Sequence, residues 1–317
     1  MAVGLPRAAR QSRRRGQLYV ALAALAWSSA GVLQRELTVD TPTQLAGRAV
    51  FAFLFLGGVV LVSSRGKVVP AFRSIGPSGL GVAICTAVAS GSFIVALNHA
   101  KVANVLFMQA VAPIIAALLA WAALGERVSR RTWIAMVVAV LGVALMVGSP
   151  GSGGALGISV SLLMTLSFAT GLVFTRHRSD VSMVPAICLA QLLVVLVAAP
   201  FADAGSVTVR DLGLFVLLGV GQIGLGLLFL VTGARLIPAA EVALITLLEI
   251  VLAPLWVWIS IGEKPAAMAL VGGAVVVCAV VLQATGGQAS ERGETDAELV
   301  TKTEEPAQEQ IPLPRAG

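Results

Sequence analysis

The chain contains ten runs of mostly apolar residues, each close to the roughly 20 residues that a helix needs to cross a bilayer. These runs constrain the fold most, because backbone groups inside a bilayer can bond to one another only in helices and closed barrels. Barrel strands would alternate apolar and polar residues, and these runs do not. The sequence therefore predicts an all-α integral membrane protein with ten transmembrane helices, at residues 18–36, 43–63, 78–98, 102–124, 132–149, 156–175, 183–201, 211–233, 239–261 and 266–285.

The composition excludes a water-soluble protein. Hydrophobic residues make up 57% of the 317 residues and charged residues 12%, whereas a soluble domain has about 25% charged residues. A soluble enzyme, a disordered chain and a nucleic-acid-binding domain are therefore disfavoured, and the lipid bilayer is the predicted environment. The three cysteines are far apart and form no ligand motif, so we expect no metal site, disulfide or cofactor.

The net charge of +6 predicts an orientation. If the N-terminus is cytoplasmic, fourteen of the nineteen basic residues before the tail lie on the cytoplasmic side and five on the other. Positive residues are enriched in cytoplasmic loops. We therefore expect a multi-pass protein of the cell (inner or plasma) membrane with both termini in the cytoplasm.

The two halves of the chain resemble each other. Residues 121–128 (WAALGERV) match residues 258–265 (WISIGEKP), and the spacing from Gly16 to Trp27 equals that from Gly157 to Phe168. Each half has five spans, and because five is odd the second half must run through the membrane in the opposite sense. This predicts two inverted five-helix repeats around a central cavity, as in many secondary transporters.

The predicted organisation has five parts. They are a basic cytoplasmic N-terminal segment (1–16), repeat 1 with helices 1–5 (17–149), a Gly/Ser linker (150–155), repeat 2 with helices 6–10 (156–285) and a disordered acidic cytoplasmic tail (286–317). The tail is predicted to be disordered because it is rich in acidic residues and proline.

At these positions the chain resembles the drug/metabolite transporter superfamily, in its EamA-type branch. The resemblance covers about residues 16–285 and rests on Gly16, Trp27-Ser28, Arg48, Pro113, Leu124-Gly125-Glu126 and Ile261-Gly262-Glu263. It implies ten helices, a cavity that opens alternately to each side, and secondary transport, often export, of small metabolites, amino acids or drugs. The family often has Glu-Pro in the ninth helix, whereas this chain has Glu249-Ile250 with the proline at Pro254.

Of the nine acidic residues before the tail, all but Glu241 and Glu249 lie at the ends of the predicted spans or in loops. Glu241 follows Pro238 in the first turn of a helix, where the helix dipole stabilises an anion. Glu249 lies near the middle of its span, where a carboxylate costs about 2.5–3.5 kcal/mol. It could face a cavity and bind a proton or a substrate amino group, or it could be a neutral acid that stabilises a neighbouring helix. We favour the functional interpretation.

Other polar and kinked positions are further candidates. Pro113 and Pro254 each remove a backbone hydrogen bond and predict either a substrate-facing hinge or a passive bend. Arg48 could extend to the membrane surface or pair with Glu36 as a gate. Substrate-binding candidates besides Glu249 are Trp27, Asn104, Gln109 and Gln222, although Trp27 could be a core residue and glutamines often only bond another helix. The sequence 219–224 satisfies GxGxxG, but within an apolar helix it predicts close helix packing and not a nucleotide site.

The predicted function is secondary active transport of a small-molecule substrate by alternating access, in the direction of export. Proton coupling through Glu249 is left open. An uncoupled facilitator or channel is the alternative, and an integral membrane enzyme is the less favoured one. His99 and His177 are the only histidines, and they lie at opposite membrane sides in this topology, so hydrolytic chemistry has no evident residues. No Walker motif is present, so ATP coupling within the chain is not expected. Substrate identity and oligomeric state are not predicted.

Overall fold

A computed structural model of the chain describes residues 7–100, 102–147, 155–262 and 265–284. In these residues ten helices are long and apolar enough to cross a membrane, which confirms the predicted all-α membrane fold. We number them α1–α10: Gln11–Gln34, Thr41–Ser63, Gly76–His99, Asn104–Leu124, Arg130–Val147, Ala155–His177, Val184–Phe201, Val209–Ala234, Ala239–Trp256 and Ala267–Ala284. Most of the predicted linker and the whole predicted tail lie outside the described residues.

Several of these helices are interrupted. The α1 span lies within two helical segments, Arg7–Ser28 and Ala30–Arg35. The α4 span lies within Val102–Ala110 and Ala112–Leu124, and the α9 span within Ala239–Thr246 and Leu248–Ile261. In α8 a π-helical segment, Leu217–Gly224, separates Val209–Val216 from Leu225–Ala234. The α7 span joins Val184–Ala198 to a 3₁₀ turn, Ala199–Phe201, and a short helix, Val68–Ser74, precedes α3.

The two halves end their fourth helices in the same way. Gly125 follows α4 with φ of 68°, and Gly262 follows the last segment of α9 with φ of 79°. This left-handed conformation is a common helix C-terminus and favours glycine, which has no Cβ to clash. The paired Gly-Glu motifs of the sequence therefore mark equivalent ends of α4 and α9.

The helix contacts are compatible with the predicted inverted repeat. In an inverted repeat, each helix corresponds to the helix five positions along. The α3–α6 contact then corresponds to α8–α1, the α2–α8 contact to α7–α3, and the α4–α6 contact to α9–α1. All six contacts are present. The α2–α7 and α4–α9 contacts convert into themselves. A pseudo-two-fold relation between the halves would produce this pattern.

Two glycines at equivalent repeat positions make equivalent contacts. A Cβ added to Gly16 would lie 2.8 Å from Leu236 Cβ, just after α8, and one added to Gly157 would lie 2.7 Å from Ala100 Cβ, just after α3. Both helix pairs therefore approach more closely than a larger residue would allow. The matching glycines of the sequence serve helix packing.

The connecting segments separate into two groups at opposite ends of the bundle. At one end Arg176 pairs with Glu126 at 2.7 Å, and Arg131 donates to the carbonyl of Leu282 at 2.7 Å. At the other end Arg210 pairs with Glu36, and Thr43 accepts from the amide of Asp203 at 2.8 Å. We call the end that contains Arg176 the basic end. Alternate loops thus share an end, as ten successive membrane crossings require.

The described part of the basic N-terminal segment is helical. The helix begins at Arg7 and continues into the α1 span. Arg13 pairs with Glu241 at 3.1 Å, and Gln17 donates to the other carboxylate oxygen at 2.7 Å. Glu241 lies in the first turn of its helix, as expected, while Pro238 is the N-cap and not the first helical residue. Its buried charge is thus balanced by a cation as well as by the helix dipole.

Candidate substrate cavity

A cavity of about 140 Å³ lies between the two halves of the bundle. By this measure a water molecule needs about 10–15 Å³, so the space suits roughly ten waters or one small organic molecule. Eight of the ten helices contribute to the described lining, and α5 and α10 do not. The polar and aromatic side chains that line it include Trp27, Arg48, Ser90, Gln109, Phe168, Gln222 and Glu249.

Most of the cavity wall is apolar. Its aliphatic side chains come from α3, α6, α7 and α8: Val82, Leu172, Ile187, Ile223, Leu227, Leu230 and Val231. A few hydroxyl groups lie beside them, those of Thr86, Ser90, Thr165, Ser167 and Thr175. Ligand pockets generally combine such walls with a few placed polar groups. The sequence did not single out the hydroxyl residues, because threonines in helices commonly bond their own backbone, as Thr165 does to Ser161 and Thr175 to Gly171.

Glu249 and Gln109 meet at the cavity. The amide nitrogen of Gln109 donates to Glu249 Oε2 at 3.2 Å, which joins α4 to α9 across 140 residues of sequence. Gln109 lies just before the interruption of α4 at Val111, and Glu249 just after the interruption of α9 at Leu247. Two residues selected from the sequence as binding candidates are therefore in direct contact.

Arg48 differs from both of its predicted roles. Its side chain lines the cavity and the residue is 2% exposed, so it does not extend to the membrane surface. Glu36, the predicted gate partner, pairs instead with Arg210. Arg48 donates from one terminal nitrogen to the carbonyl and to the hydroxyl of Ser90, each at 3.2 Å. The sequence could not identify this partner because Ser90 belongs to another helix and carries no distinctive motif.

Trp27 and Phe168 form an aromatic contact at the cavity wall. Their ring centroids are 6.1 Å apart, with the planes inclined by 70°, an edge-to-face arrangement. These are the residues that the repeat spacing places at equivalent positions. Trp27 is thus a cavity residue and not only a core residue, and Phe168 joins it as a residue that the sequence used solely as a repeat marker.

Gln222 reaches the cavity from the π-helical segment of α8. Such segments are rare and often occur at functional sites. The adjacent glycines pack closely: a Cβ on Gly219 would lie 2.5 Å from the carbonyl oxygen of Arg48, and one on Gly224 would lie 2.6 Å from Phe55 Cδ1. Two of the three glycines of the GxGxxG pattern thus serve helix packing, while a Cβ on Gly221 would meet only Leu217 Cδ1 at 3.7 Å.

The remaining candidates lie elsewhere or act differently. Asn104 is buried in α4 but is not among the cavity-lining residues. Pro113 lies at the start of the second segment of α4, immediately after the interruption. Pro254 lies inside the second segment of α9, and the interruption occurs seven residues earlier at Leu247. The proline alone therefore does not position the break in α9.

The ten-helix fold and the cavity between its halves are typical of a membrane transporter. A solved crystal structure superposes with a TM-score of 0.72 at 18% identity, over 84% of this chain and 96% of the other, which establishes a shared fold. No curated protein matches the sequence significantly. The profile of the EamA-like transporter family matches residues 14–148 and again residues 155–285. The chain belongs to the EamA-like transporter family, and the family identified by resemblance is confirmed.

Proposed function

We propose that this protein is a secondary active transporter that moves a small solute across the cell membrane by alternating access through the central cavity, in the direction of export. The observation that carries the proposal is the contact between Glu249 and Gln109 inside a cavity lined by both halves. Residues that bind solute in such transporters lie between repeats near the membrane midplane. Membership of a transporter family supports the same conclusion.

Glu249 is the proposed coupling residue. A carboxyl group in a largely apolar cavity can exist as a neutral acid or, when a cation approaches, as a carboxylate. Gln109 donates one hydrogen bond to it, which holds the carboxyl group in place without neutralising its charge. The group can therefore exchange a proton for a solute amino group during each transport cycle.

An uncoupled channel is the second candidate function, and an enzyme is less favoured. A channel needs a continuous path, whereas ion pairs join helices at both ends of the bundle: Arg13 with Glu241 and Arg176 with Glu126 at the basic end, and Arg210 with Glu36 at the other. These contacts favour a cycle in which one end opens at a time. The described lining of the cavity combines one carboxyl group, one guanidinium and neutral polar groups, a set suited to binding.

The test is flux into proteoliposomes that contain the purified full chain under an imposed pH gradient. We expect saturable uptake of at least one solute, from a panel of amino acids and toxic cations, that increases with the gradient. Glu249→Gln should reduce the gradient-driven component about tenfold or more, because the amide cannot exchange a proton. Glu249→Asp keeps the carboxyl group and should retain part of it.

Two results would contradict the proposal. Flux that rises linearly with solute concentration would favour a channel. A Glu249→Gln protein with wild-type flux and an unchanged pH dependence would exclude this residue from coupling.

A further inference from the structure

Arg48 is a buried cation that lacks a charged partner in the described part of the chain. The residue is 2% exposed, its described hydrogen bonds go to Ser90, and Nε makes none within the described ranges. Burying an unpaired charge is expensive, and such charges are usually paired within a protein. No described residue accepts a hydrogen bond from this nitrogen, so the arrangement fits an acceptor supplied by a bound solute.

The backbone at Arg48 is closely confined. A Cβ added to Gly219 of α8 would lie 2.5 Å from the Arg48 carbonyl oxygen and 2.6 Å from Phe51 Cβ. The backbones of α2 and α8 are therefore in direct contact there. With α2 held against α8, the guanidinium stays in the cavity wall. A fixed guanidinium presents its N–H groups in a planar fork that matches a carboxylate.

We infer that Arg48 binds the carboxylate of a zwitterionic solute whose ammonium group is held by Glu249 and Gln109. This inference rests on the proposed transport function and names its solute class. Arg48 and Glu249 are the two ionisable side chains of the described cavity lining, and they do not form an ion pair with each other among the described residues. One cation and one carboxylate match a solute that carries one charge of each sign.

The other polar atoms of the cavity agree with this assignment. The carbonyl oxygens of the Gln109 and Gln222 side chains have no hydrogen-bond partner among the described residues. Both are acceptors, and an ammonium group provides three donors. The apolar wall beyond them, with Ile187, Ile223 and Leu227, suits an aliphatic or aromatic side chain on the solute. A phosphate would bring a second negative charge into a cavity that already contains Glu249.

The experiment measures ligand-induced thermal stabilisation of the purified full chain with each of the twenty standard L-amino acids. The one that binds best is then compared with its methyl ester and with the amine that lacks the carboxyl group. We expect the amino acid to bind wild-type protein about tenfold or more tightly than either analogue, because an ion-paired hydrogen bond of about 1.4 kcal/mol corresponds to tenfold in affinity. This comparison uses the wild-type protein and does not depend on the folding of a variant.

Arg48→Gln is expected to reduce the affinity for the amino acid to that for the ester and to leave the ester unchanged. Arg48→Lys, which keeps the charge but lacks the fork, should give an intermediate affinity. The inference is overturned if none of the amino acids stabilises the protein, or if Arg48→Gln weakens acid and ester equally. Saturable, gradient-driven flux of a different solute in either case would leave the proposed transport function standing.

Discussion

At the residue scale, Trp27 lies at the cavity because a glycine on α8 leaves room for its indole ring. A Cβ added to Gly226 would overlap Trp27 Nε1, Cδ1 and Cε2. On the same helix, Gly213 is exposed and a Cβ added there would meet nothing within 4 Å. The two glycines thus differ in surroundings and form a matched pair.

We expect Gly226→Ala to destabilise the protein by roughly 1–3 kcal/mol, the usual cost of overpacking, and to displace Trp27. Gly213→Ala should leave stability unchanged or raise it slightly, because alanine favours helix. Thermal unfolding in detergent micelles, with tryptophan emission as a second signal, measures both effects. Equal melting temperatures for the two variants would show that the contact with Trp27 does not constrain the fold.

Sequence reasoning at this scale succeeded where one residue was anomalous by itself. Glu249, Gln109, Gln222 and Trp27 stood out as polar or bulky groups inside apolar runs, and all four line the cavity. Partners were not predictable in the same way. Arg13 and Glu241 are 228 residues apart, and only the packing of α1 against α9 brings them together.

At the element scale, α4 and α9 are interrupted by similar backbone turns. Each interruption contains a hydrogen bond between residues three apart. The amide of Ile114 donates to the carbonyl of Val111 at 3.0 Å, and the amide of Ile250 donates to the carbonyl of Leu247 at 3.0 Å. Pro113 follows the first turn. No proline lies at the second, where the hydroxyl of Thr246 bonds the carbonyl of Ala243 at 2.8 Å and offers the backbone an alternative partner.

We expect Pro113→Ala to reduce transport severalfold without loss of thermal stability. Alanine supplies the missing N–H, so α4 can straighten, and Gln109 then moves away from Glu249. Pro254→Ala is the control, because α9 is not interrupted at that position; its stability should rise and its transport rate stay near wild type. Initial rates in proteoliposomes and melting temperatures test this. Equal losses of transport in both variants would contradict a specific role for the α4 turn.

The hydropathy of the sequence was sufficient to locate all ten helices, because a bilayer requires about 20 apolar residues per crossing. The interruptions were only partly predictable. Proline identifies a missing donor, but neighbouring helices decide where the chain bends, and the π-helical segment of α8 had no sequence signal at all. Its glycines gave evidence of close packing, and the segment's geometry came only with the structure.

At the scale of the whole molecule, the proposed orientation follows from charge. The basic end, which includes the loop after α2, is expected to face the cytoplasm. Ser74 in that loop and Ser206 between α7 and α8 are both exposed and lie at opposite ends of the bundle. The same serine-to-cysteine substitution can therefore be made on each side of the membrane.

In a variant whose Cys85, Cys188 and Cys278 are replaced by alanine, we expect Ser206→Cys to react with a membrane-impermeant maleimide in intact cells. Ser74→Cys should react only after the cells are permeabilised, because the bilayer shields it. The reverse pattern would invert the proposed topology, and labelling of both in intact cells would contradict the alternation of loops between the two ends.

The contact between Trp27 and Phe168 has a consequence for the transport cycle under the predicted inverted repeat. When two related halves exchange conformations, a point on the axis between them stays in place while every other point moves. Two equivalent residues that touch must lie beside that axis. The aromatic pair would therefore stay in place during the cycle and contact the solute from either side. Since an indole and a phenyl ring differ, the solute meets a different ring on each side, and the inward and outward states have unequal energies.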